Sequence, residues 1–307
     1  AIAFYQMALQ FDPENAEASH QLEQIYEKKK KDKVSLNLQS SQLNKPICIV
    51  SIHRTGSNYV LDLLNNHNQI AAHSEIFNPQ RVYIRNSEEL LPKLCKHFQL
   101  KAQRTDSSSL INFVHQKPIE FINFLTEEAS NRRMFFKLFS GHLKREQTIN
   151  LIFRNHNILK VLLLRDPIEA YISYIKAKKV NKFRKVDTTN IKVSLDASDF
   201  VEFYKERRSW FQEAQETLQQ SNQRYVILQY EKLLAIQQNN GDESVLSYIL
   251  NQIENVFGAN FEKQEQNKLH ITWFKQDKAS LSEKINNYTE FMSKLRQELG
   301  TTSISFL

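Results

Sequence analysis

Residues 46–64 read PICIVSIHRTGSNYVLDLL, the most informative segment of the chain for its fold. It begins with a short apolar run, Ile47–Ser51, which has the length and composition of a buried strand. A turn follows, and then a largely apolar segment, Asn58–Asn66, that we predict to be a helix. The chain contains only five glycines. Gly56 therefore marks this turn as a place where the backbone needs unusual freedom.

The same alternation of short apolar runs and longer amphipathic segments continues along the chain. Further strands are predicted at Ile70–Ala72, Met134–Phe139, Leu159–Leu164 and Tyr225–Leu228, and further helices at Pro167–Lys178, Asp196–Gln219 and Ser244–Phe257. A capping box at Ser280–Glu283 predicts a last helix that carries Asn286 and Asn287. Runs that are apolar on both faces, separated by helices, indicate a parallel sheet covered on each side. We therefore predict an α/β fold of three layers, in which ligands bind at the carboxyl ends of the strands.

The first residues follow a different pattern. They have the spacing of the second helix and closing proline of a tetratricopeptide repeat, which this segment resembles, at Ala1, Tyr5, Ala8 and Pro13. Any other amphipathic helical pair would explain the spacing as well. The predicted organisation is a helical fragment over 1–32, a linker over 33–45 and one α/β domain over 46–307. The fragment would offer a surface to a protein partner.

The overall composition excludes several classes of function. With 41% hydrophobic and 24% charged residues, the chain has the composition of an ordinary globular protein. Its net charge of +7 suits an anionic ligand, but no nucleic-acid reading motif accompanies it, so no nucleic acid is expected. No apolar run approaches the ~18 residues that span a bilayer. Cys48 and Cys95 form neither a disulfide framework nor a metal spacing. We expect a cytoplasmic protein without a metal.

The turn after the first strand has the features of an anion site. Gly56 lets the backbone come close to a phosphate, and Ser57 can cap the helix that follows. Arg54 adds positive charge beside the helix N-terminus. An ordinary strand-to-helix turn would contain the same glycine and serine. A nucleotide-triphosphate loop would have lysine where this chain has Ser57, which disfavours a kinase or NTPase.

A second candidate anion site follows the predicted strand Leu159–Leu164. That strand runs into Arg165, Asp166 and Pro167; aspartate can cap a helix, and proline fits the first helical position. Ser173 lies on the same helix face as Asp166. Arg165 and Ser173 could therefore share one phosphate. A surface arginine and a solvated helix serine are the alternative interpretation.

Together, the two loops resemble the signatures by which sulfotransferases bind 3'-phosphoadenosine-5'-phosphosulfate (PAPS). The segments that carry the resemblance are SIHRTGSNY from Ser51 and LLLRDPIEAYISY from Leu162. The bacterial carbohydrate sulfotransferases, of the nodulation-factor and trehalose types, are the most similar in pattern. The resemblance implies that the 3'-phosphate is bound by Arg165 and Ser173. It implies that the 5'-phosphosulfate is bound by Arg54, Thr55, Gly56, Ser57 and Asn58. Many relatives have proline where this chain has His53.

The resemblance also implies a base and an adenine contact. The segment HSEIFNP from His73 is similar to the glutamate-centred segment of the bacterial carbohydrate sulfotransferases, which makes Glu75 the predicted base. His142 is the main rival, because several sulfotransferases have a histidine after the corresponding strand and imidazole titrates near neutral pH. His53 and His73 are further candidates by position. Tyr230 resembles the residue that contacts adenine.

From the sequence we therefore expect a metal-free, PAPS-dependent sulfotransferase. Its acceptor would be a hydroxyl group, and the resemblance to the bacterial glycan enzymes points to a carbohydrate. Two alternatives stay open at this stage. One is a nucleotide kinase or NTPase with a related phosphate loop, and the other is a non-catalytic protein that binds partners through its N-terminal repeats.

Overall fold

A computed structural model describes residues 45–181, 188, 190–262, 269, 279–301 and 304–307. The predicted helical fragment over 1–32 and nearly all of the predicted linker lie outside these residues. Within the described ranges, no helix combines the length and the apolar character needed to cross a membrane.

The centre of the fold is a sheet of five parallel strands in the order β2-β3-β1-β4-β5. The strands are β1 (Ile47–Val50), β2 (Ile70–Ala72), β3 (Arg133–Leu138), β4 (Leu159–Leu164) and β5 (Val226–Gln229). In the central strand, Ile47 pairs with Phe135 on one side and with Leu159 on the other. The predicted α/β class with a parallel sheet is confirmed, and no strand end is displaced by more than one residue.

Helices connect the strands. They are α1 (Ser57–Leu64), α2 (Ser87–Phe98), α3 (Ser108–Gln116), α4 (Pro118–Glu128), α5 (Arg145–Gln147), α6 (Pro167–Val180), α7 (Ala197–Gln220), α8 (Tyr230–Phe257), α9 (Leu281–Lys284) and α10 (Tyr288–Leu299). A π-helical segment, Thr148–Phe153, continues α5. The helix predicted over 244–257 is the second half of α8, which is interrupted at Gly241, where φ is 80° and ψ is 176°.

One expectation about a helix start and one about a helix end are wrong. Ser57 is the first residue of α1 rather than its cap, because the cap position is taken by Gly56 with a left-handed φ of 79°. The capping box of Ser280 and Glu283 forms, but α9 ends at Lys284 and does not carry Asn286. The chain turns extended there because Ile285 forms a parallel bridge with Val193.

Apolar side chains bury both faces of the sheet. Cys48 and Val50 belong to one apolar cluster, whereas Ile47 and Ile49 belong to a second. Alternate residues of a strand point to opposite faces, so the two clusters lie on opposite sides of β1. In the described part of the chain both faces of the sheet are thus covered, and the polar residues after β1, β2 and β4 meet at the strand ends, where ligands bind in such folds.

Candidate functional site

A cavity of about 590 Å³ lies at the carboxyl ends of the strands. Its walls come from the loop after β1, the segment after β2, strand β3, helix α6 and the first residue of α8. The volume lies within the range of small-molecule sites.

The loop after β1 is tightly folded. Arg54 and Gly56 both have left-handed backbones, with φ of 71° and 79°. The hydroxyl of Thr55 donates to the carbonyl oxygen of Ile52 at 2.9 Å, which closes the turn. A Cβ atom at Gly56 would lie 2.1 Å from Cε2 of Tyr230. Glycine is therefore required here both for its backbone conformation and to make room for the tyrosine ring.

Arginine side chains join this loop to the loop after β4. Arg165 Nη1 donates to the carbonyl oxygen of Arg54 at 2.7 Å, and Arg54 Nε donates to Ser173 Oγ at 2.9 Å. Burial, together with the nearby Arg165, lowers the pKa of Arg54 to about 10, so Arg54 stays positively charged at neutral pH. The guanidinium of Arg165 also lies 5.0 Å from the centre of the Tyr230 ring, within reach of a cation–π contact.

The start of α6 forms as its sequence predicts. Pro167 takes the first helical position, and the side chain of Asp166 accepts a hydrogen bond from the backbone N–H of Glu169 at 2.8 Å. The cap holds the start of α6 in a defined place at the end of β4. Arg165 comes just before this helix and Ser173 lies about two turns along it, and both side chains line the cavity.

Lys284, from the C-terminal segment, lines the cavity beside Arg165 and Glu169. Lys284 Nζ donates to Glu169 Oε1 at 2.6 Å, and Arg165 Nη2 lies 3.2 Å from Glu169 Oε2. Only 1% of the Lys284 side chain is exposed. Lys176 is also buried and donates to the carbonyl oxygen of Thr188 at 3.1 Å. The four cations Arg54, Arg165, Lys176 and Lys284 give this part of the cavity a strong attraction for anions.

A buried ion pair occupies the cavity wall nearer β2. Lys137 Nζ lies 3.3 Å from Glu75 Oε1 and donates to Asn58 Oδ1 at 2.5 Å. Glu75 Oε2 accepts from Asn78 Nδ2 at 2.8 Å. Burial alone would raise the pKa of Glu75, but His142, Lys137 and Asn78 together hold it well below its usual range. Glu75 is therefore a carboxylate at neutral pH.

Two histidines lie beside this pair. His142 Nδ1 accepts from the backbone N–H of Phe139 at 3.3 Å, and its Nε2 lies 3.6 Å from Glu75 Oε2. The His53 ring packs edge-on against the Phe139 ring with centroids 4.5 Å apart. Burial, the largest effect, lowers the pKa of His53, which favours its neutral form.

The sequence model of the sulfotransferase family matches residues 46–240, well over half of the chain. The chain belongs to the sulfotransferase family. Among solved structures, a sulfotransferase from Mycobacterium tuberculosis H37Rv is similar at 13% identity and a TM-score of 0.39, over 70% of this chain and 68% of that one. No curated protein sequence matches the chain.

In this member of the family, most of the residues predicted for the site line one cavity. They are Arg54, Gly56, Ser57, Asn58, Glu75, Arg165, Ser173 and Tyr230. Thr55 is placed differently, since its side chain is buried inside the loop. His142 does not line the cavity but contacts Glu75, with its Nε2 atom 3.6 Å from Oε2 of that residue. Among the described residues, no cluster of His, Cys, Asp or Glu is arranged to hold a metal ion.

His73 lies elsewhere. It lines a separate cavity of about 260 Å³, and its Nδ1 accepts from the backbone N–H of Arg85 at 3.1 Å. Burial lowers its pKa to about 4. The candidate role of His73 as a base in the main cavity therefore has no support in the geometry.

Sequence reasoning missed Lys137 and Lys284. The signal for Lys137 is its charge in the middle of an apolar strand, because a lysine in a doubly covered strand must find a buried partner. No local pattern points to Lys284, whose partner Glu169 precedes it by 115 residues.

Proposed function

We propose that the protein transfers a sulfuryl group from PAPS to a hydroxyl acceptor. The observation that carries the proposal is the direct contact between the two basic loops, through Arg165 and the backbone of Arg54 and through Arg54 and Ser173. PAPS carries a 3'-phosphate and a 5'-phosphosulfate, so it needs two anion sites a nucleoside apart. A single cavity with both loops in its wall supports this donor.

The residues present fit a phosphate. Arg165 Nε is buried and has no hydrogen-bond acceptor in the described part of the chain. An unsatisfied buried guanidinium N–H is costly, and a phosphate oxygen would satisfy it. Arg165 and Ser173 would hold the 3'-phosphate, while Arg54 and the amides of residues 56–58 would hold the phosphosulfate at the start of α1. Tyr230 lines the same cavity and is proposed for the adenine.

Glu75 is the proposed base. His142 Nδ1 already accepts a backbone hydrogen bond, so its neutral ring carries the proton on Nε2, which faces Glu75. In that tautomer His142 has no free lone pair for a substrate proton. Glu75, which lines the cavity as a carboxylate, can take the proton of the acceptor hydroxyl. The acceptor oxygen would bond to sulfur as the bond from sulfur to the phosphate oxygen breaks, releasing 3',5'-ADP.

Lys137 has two proposed effects on this step. Its ammonium lies between Asn58 of the first loop and Glu75, so it can stabilise the negative oxygens of the transferred group. While it pairs with Glu75 it also keeps that carboxylate a weak base. When Lys137 turns its charge towards the sulfuryl group, Glu75 gains basicity at the moment when it must accept a proton.

A carbohydrate acceptor is supported by other side chains of the cavity wall. Tyr174 offers an aromatic face, and Asn78 and Gln80 offer side-chain amides. Sugar rings pack their C–H faces on aromatic rings, while amides donate to and accept from hydroxyl groups. We further propose a cytoplasmic location, in keeping with two cysteines that are both free thiols, and a protein partner for residues 1–32.

Two measurements test the proposal. The first is calorimetric titration with 3',5'-ADP and with ATP·Mg²⁺, and we expect affinity for 3',5'-ADP only. The second is a screen of hydroxyl acceptors with PAPS labelled in its sulfuryl group, in which labelled glycans are expected. Binding of ATP·Mg²⁺ alone would replace the proposal with a nucleotide kinase or NTPase.

A further inference from the structure

The phosphate end of the cavity contains a carboxylate that sulfuryl transfer does not require. Glu169 accepts from Lys284 through Oε1 at 2.6 Å and contacts Arg165 through Oε2 at 3.2 Å. Both cations are buried, with 1% of the Lys284 side chain and 10% of the Arg165 side chain exposed. Two buried positive charges thus share one negative charge.

The place of Glu169 on α6 brings it to the proposed 3'-phosphate. It follows Arg165 by four residues and precedes Ser173 by four, and residues at this spacing are neighbours on one helix face. All three side chains line the cavity. A phosphate that contacts Arg165 and Ser173 would therefore come close to a group of its own charge.

We propose that Glu169 is the counter-ion of the phosphate site. In the free protein it pairs with Arg165 and Lys284, and when the nucleotide binds, the 3'-phosphate replaces Glu169 as the partner of both cations. This inference rests on the proposed function, since it requires a nucleotide with a 3'-phosphate.

Competition of this kind has two consequences. The carboxylate stabilises the free protein, because a buried ammonium without a counter-ion is strongly unfavourable. It also weakens the binding of 3',5'-ADP, because the phosphate must displace an existing ion pair, and a product that binds less tightly leaves sooner. A nucleotide with a free 3'-hydroxyl brings no charge to the position beside Glu169, so its affinity does not depend on this residue.

The experiment compares Glu169→Gln with the wild-type protein. Glutamine keeps the size and one accepting oxygen but removes the charge. Affinity for 3',5'-ADP should rise about tenfold, with slower dissociation, as expected when a partly buried like charge is removed beside a phosphate. Affinity for 5'-AMP should stay the same. Glu290→Gln is the matched control, because Glu290 is an exposed helical carboxylate paired with Lys294, and it should change neither affinity. Equal or weaker binding of 3',5'-ADP by Glu169→Gln would overturn the inference.

A second variant keeps the test decisive if Glu169→Gln folds poorly. Lys284→Met should weaken 3',5'-ADP binding about tenfold and leave 5'-AMP binding unchanged. Unchanged 3',5'-ADP affinity in this variant would also overturn the inference. If the wild-type protein binds no 3',5'-ADP, the proposed function itself fails. If the wild type binds it and only the variants behave otherwise, the counter-ion role alone fails.

Discussion

The Nη1 atom of Arg165 donates a hydrogen bond of 2.7 Å to the backbone carbonyl oxygen of Arg54, 111 residues earlier in the chain. This contact joins the two basic loops at the end of the sheet. Loss of the guanidinium removes both a proposed ligand of the 3'-phosphate and a support of the first loop.

We therefore predict that Arg165→Ala weakens 3',5'-ADP binding by about 100-fold, the usual size for truncation of a buried charged contact. Titration calorimetry measures the change. Arg208→Ala, which removes an exposed arginine of α7, should leave the affinity unchanged. If Arg165→Ala binds as well as the wild type, the 3'-phosphate site lies elsewhere.

Gly56 and Gly141 form a matched pair for a second prediction. Both have φ of 79°, but only Gly56 has a neighbour where a Cβ would lie, the Tyr230 ring at 2.1 Å. Gly141→Ala should lower the free energy of unfolding by about 1–2 kcal/mol, the cost of a left-handed alanine. Gly56→Ala should lower it by about 1–3 kcal/mol more, because the tyrosine ring must move.

Denaturant unfolding of the two variants measures the difference. Gly56→Ala should also lose 3',5'-ADP affinity, since the displaced ring disturbs both loops, whereas Gly141→Ala should retain it. Equal destabilisation by the two substitutions would show that the ring does not rest against Gly56.

The loops and the sheet were predictable because their signals are local. The apolar run before Gly56, and Asp166 with Pro167 after an apolar strand, each encode a boundary within a few residues. Helices α2, α3 and α4 were not among the predicted helices, and the local signal in α2 is contradictory because Pro92 lies inside it, where proline ordinarily breaks a helix. The last residue of α2 is followed by Gln99 in a left-handed conformation with no glycine to signal the end.

The roles of Lys137 and Lys284 depend instead on tertiary structure. Lys137 meets Asn58 across 79 residues because β3 lies next to β1 in the sheet. The order of strands in a parallel sheet cannot be predicted from any single segment of the sequence. The sequence therefore indicates where the two basic loops are, but not which buried cations lie beside them.

The proposed base is separable from its rival by substitution. Glu75→Gln should retain 3',5'-ADP affinity and lose most of its turnover, because the acceptor proton then has no carboxylate to receive it. His142→Gln should reduce turnover less, since the imidazole only faces Glu75. Single-turnover assays with labelled PAPS measure both. Turnover preserved in Glu75→Gln and lost in His142→Gln would transfer the role of base to His142.

Lys137 should control the pH dependence of the reaction. His142, Lys137 and Asn78 hold the pKa of Glu75 below its usual range against the opposing effect of burial. The base is then ionised, and active, down to low pH. In Lys137→Met the pKa of Glu75 should rise, so the acidic limb of kcat/KM moves to higher pH and the maximum rate falls. Lys137→Arg should restore the position of the limb. An acidic limb that stays in place in Lys137→Met would show that Lys137 does not act on Glu75.

Lys160 offers a stability prediction away from the cavity. Its side chain is buried in β4 and donates to Asn155 O and Gln223 Oε1, both at 2.6 Å. Burial lowers its pKa to about 7, whereas an unfolded lysine has a pKa of about 10.4. Between these values the unfolded chain binds more protons than the folded one. The free energy of unfolding should therefore gain up to about 1.4 kcal/mol per pH unit from this residue as pH rises.

Lys160→Met removes the titrating group while keeping a side chain of similar length. Urea titrations at pH 7, 8 and 9 should show a smaller rise in the free energy of unfolding for the variant than for the wild type. Lys93→Met is the control, because Lys93 is exposed and belongs to a surface ion pair; it should keep the wild-type slope. An identical slope in Lys160→Met would mean that Lys160 stays protonated throughout this range, held by its two oxygen partners.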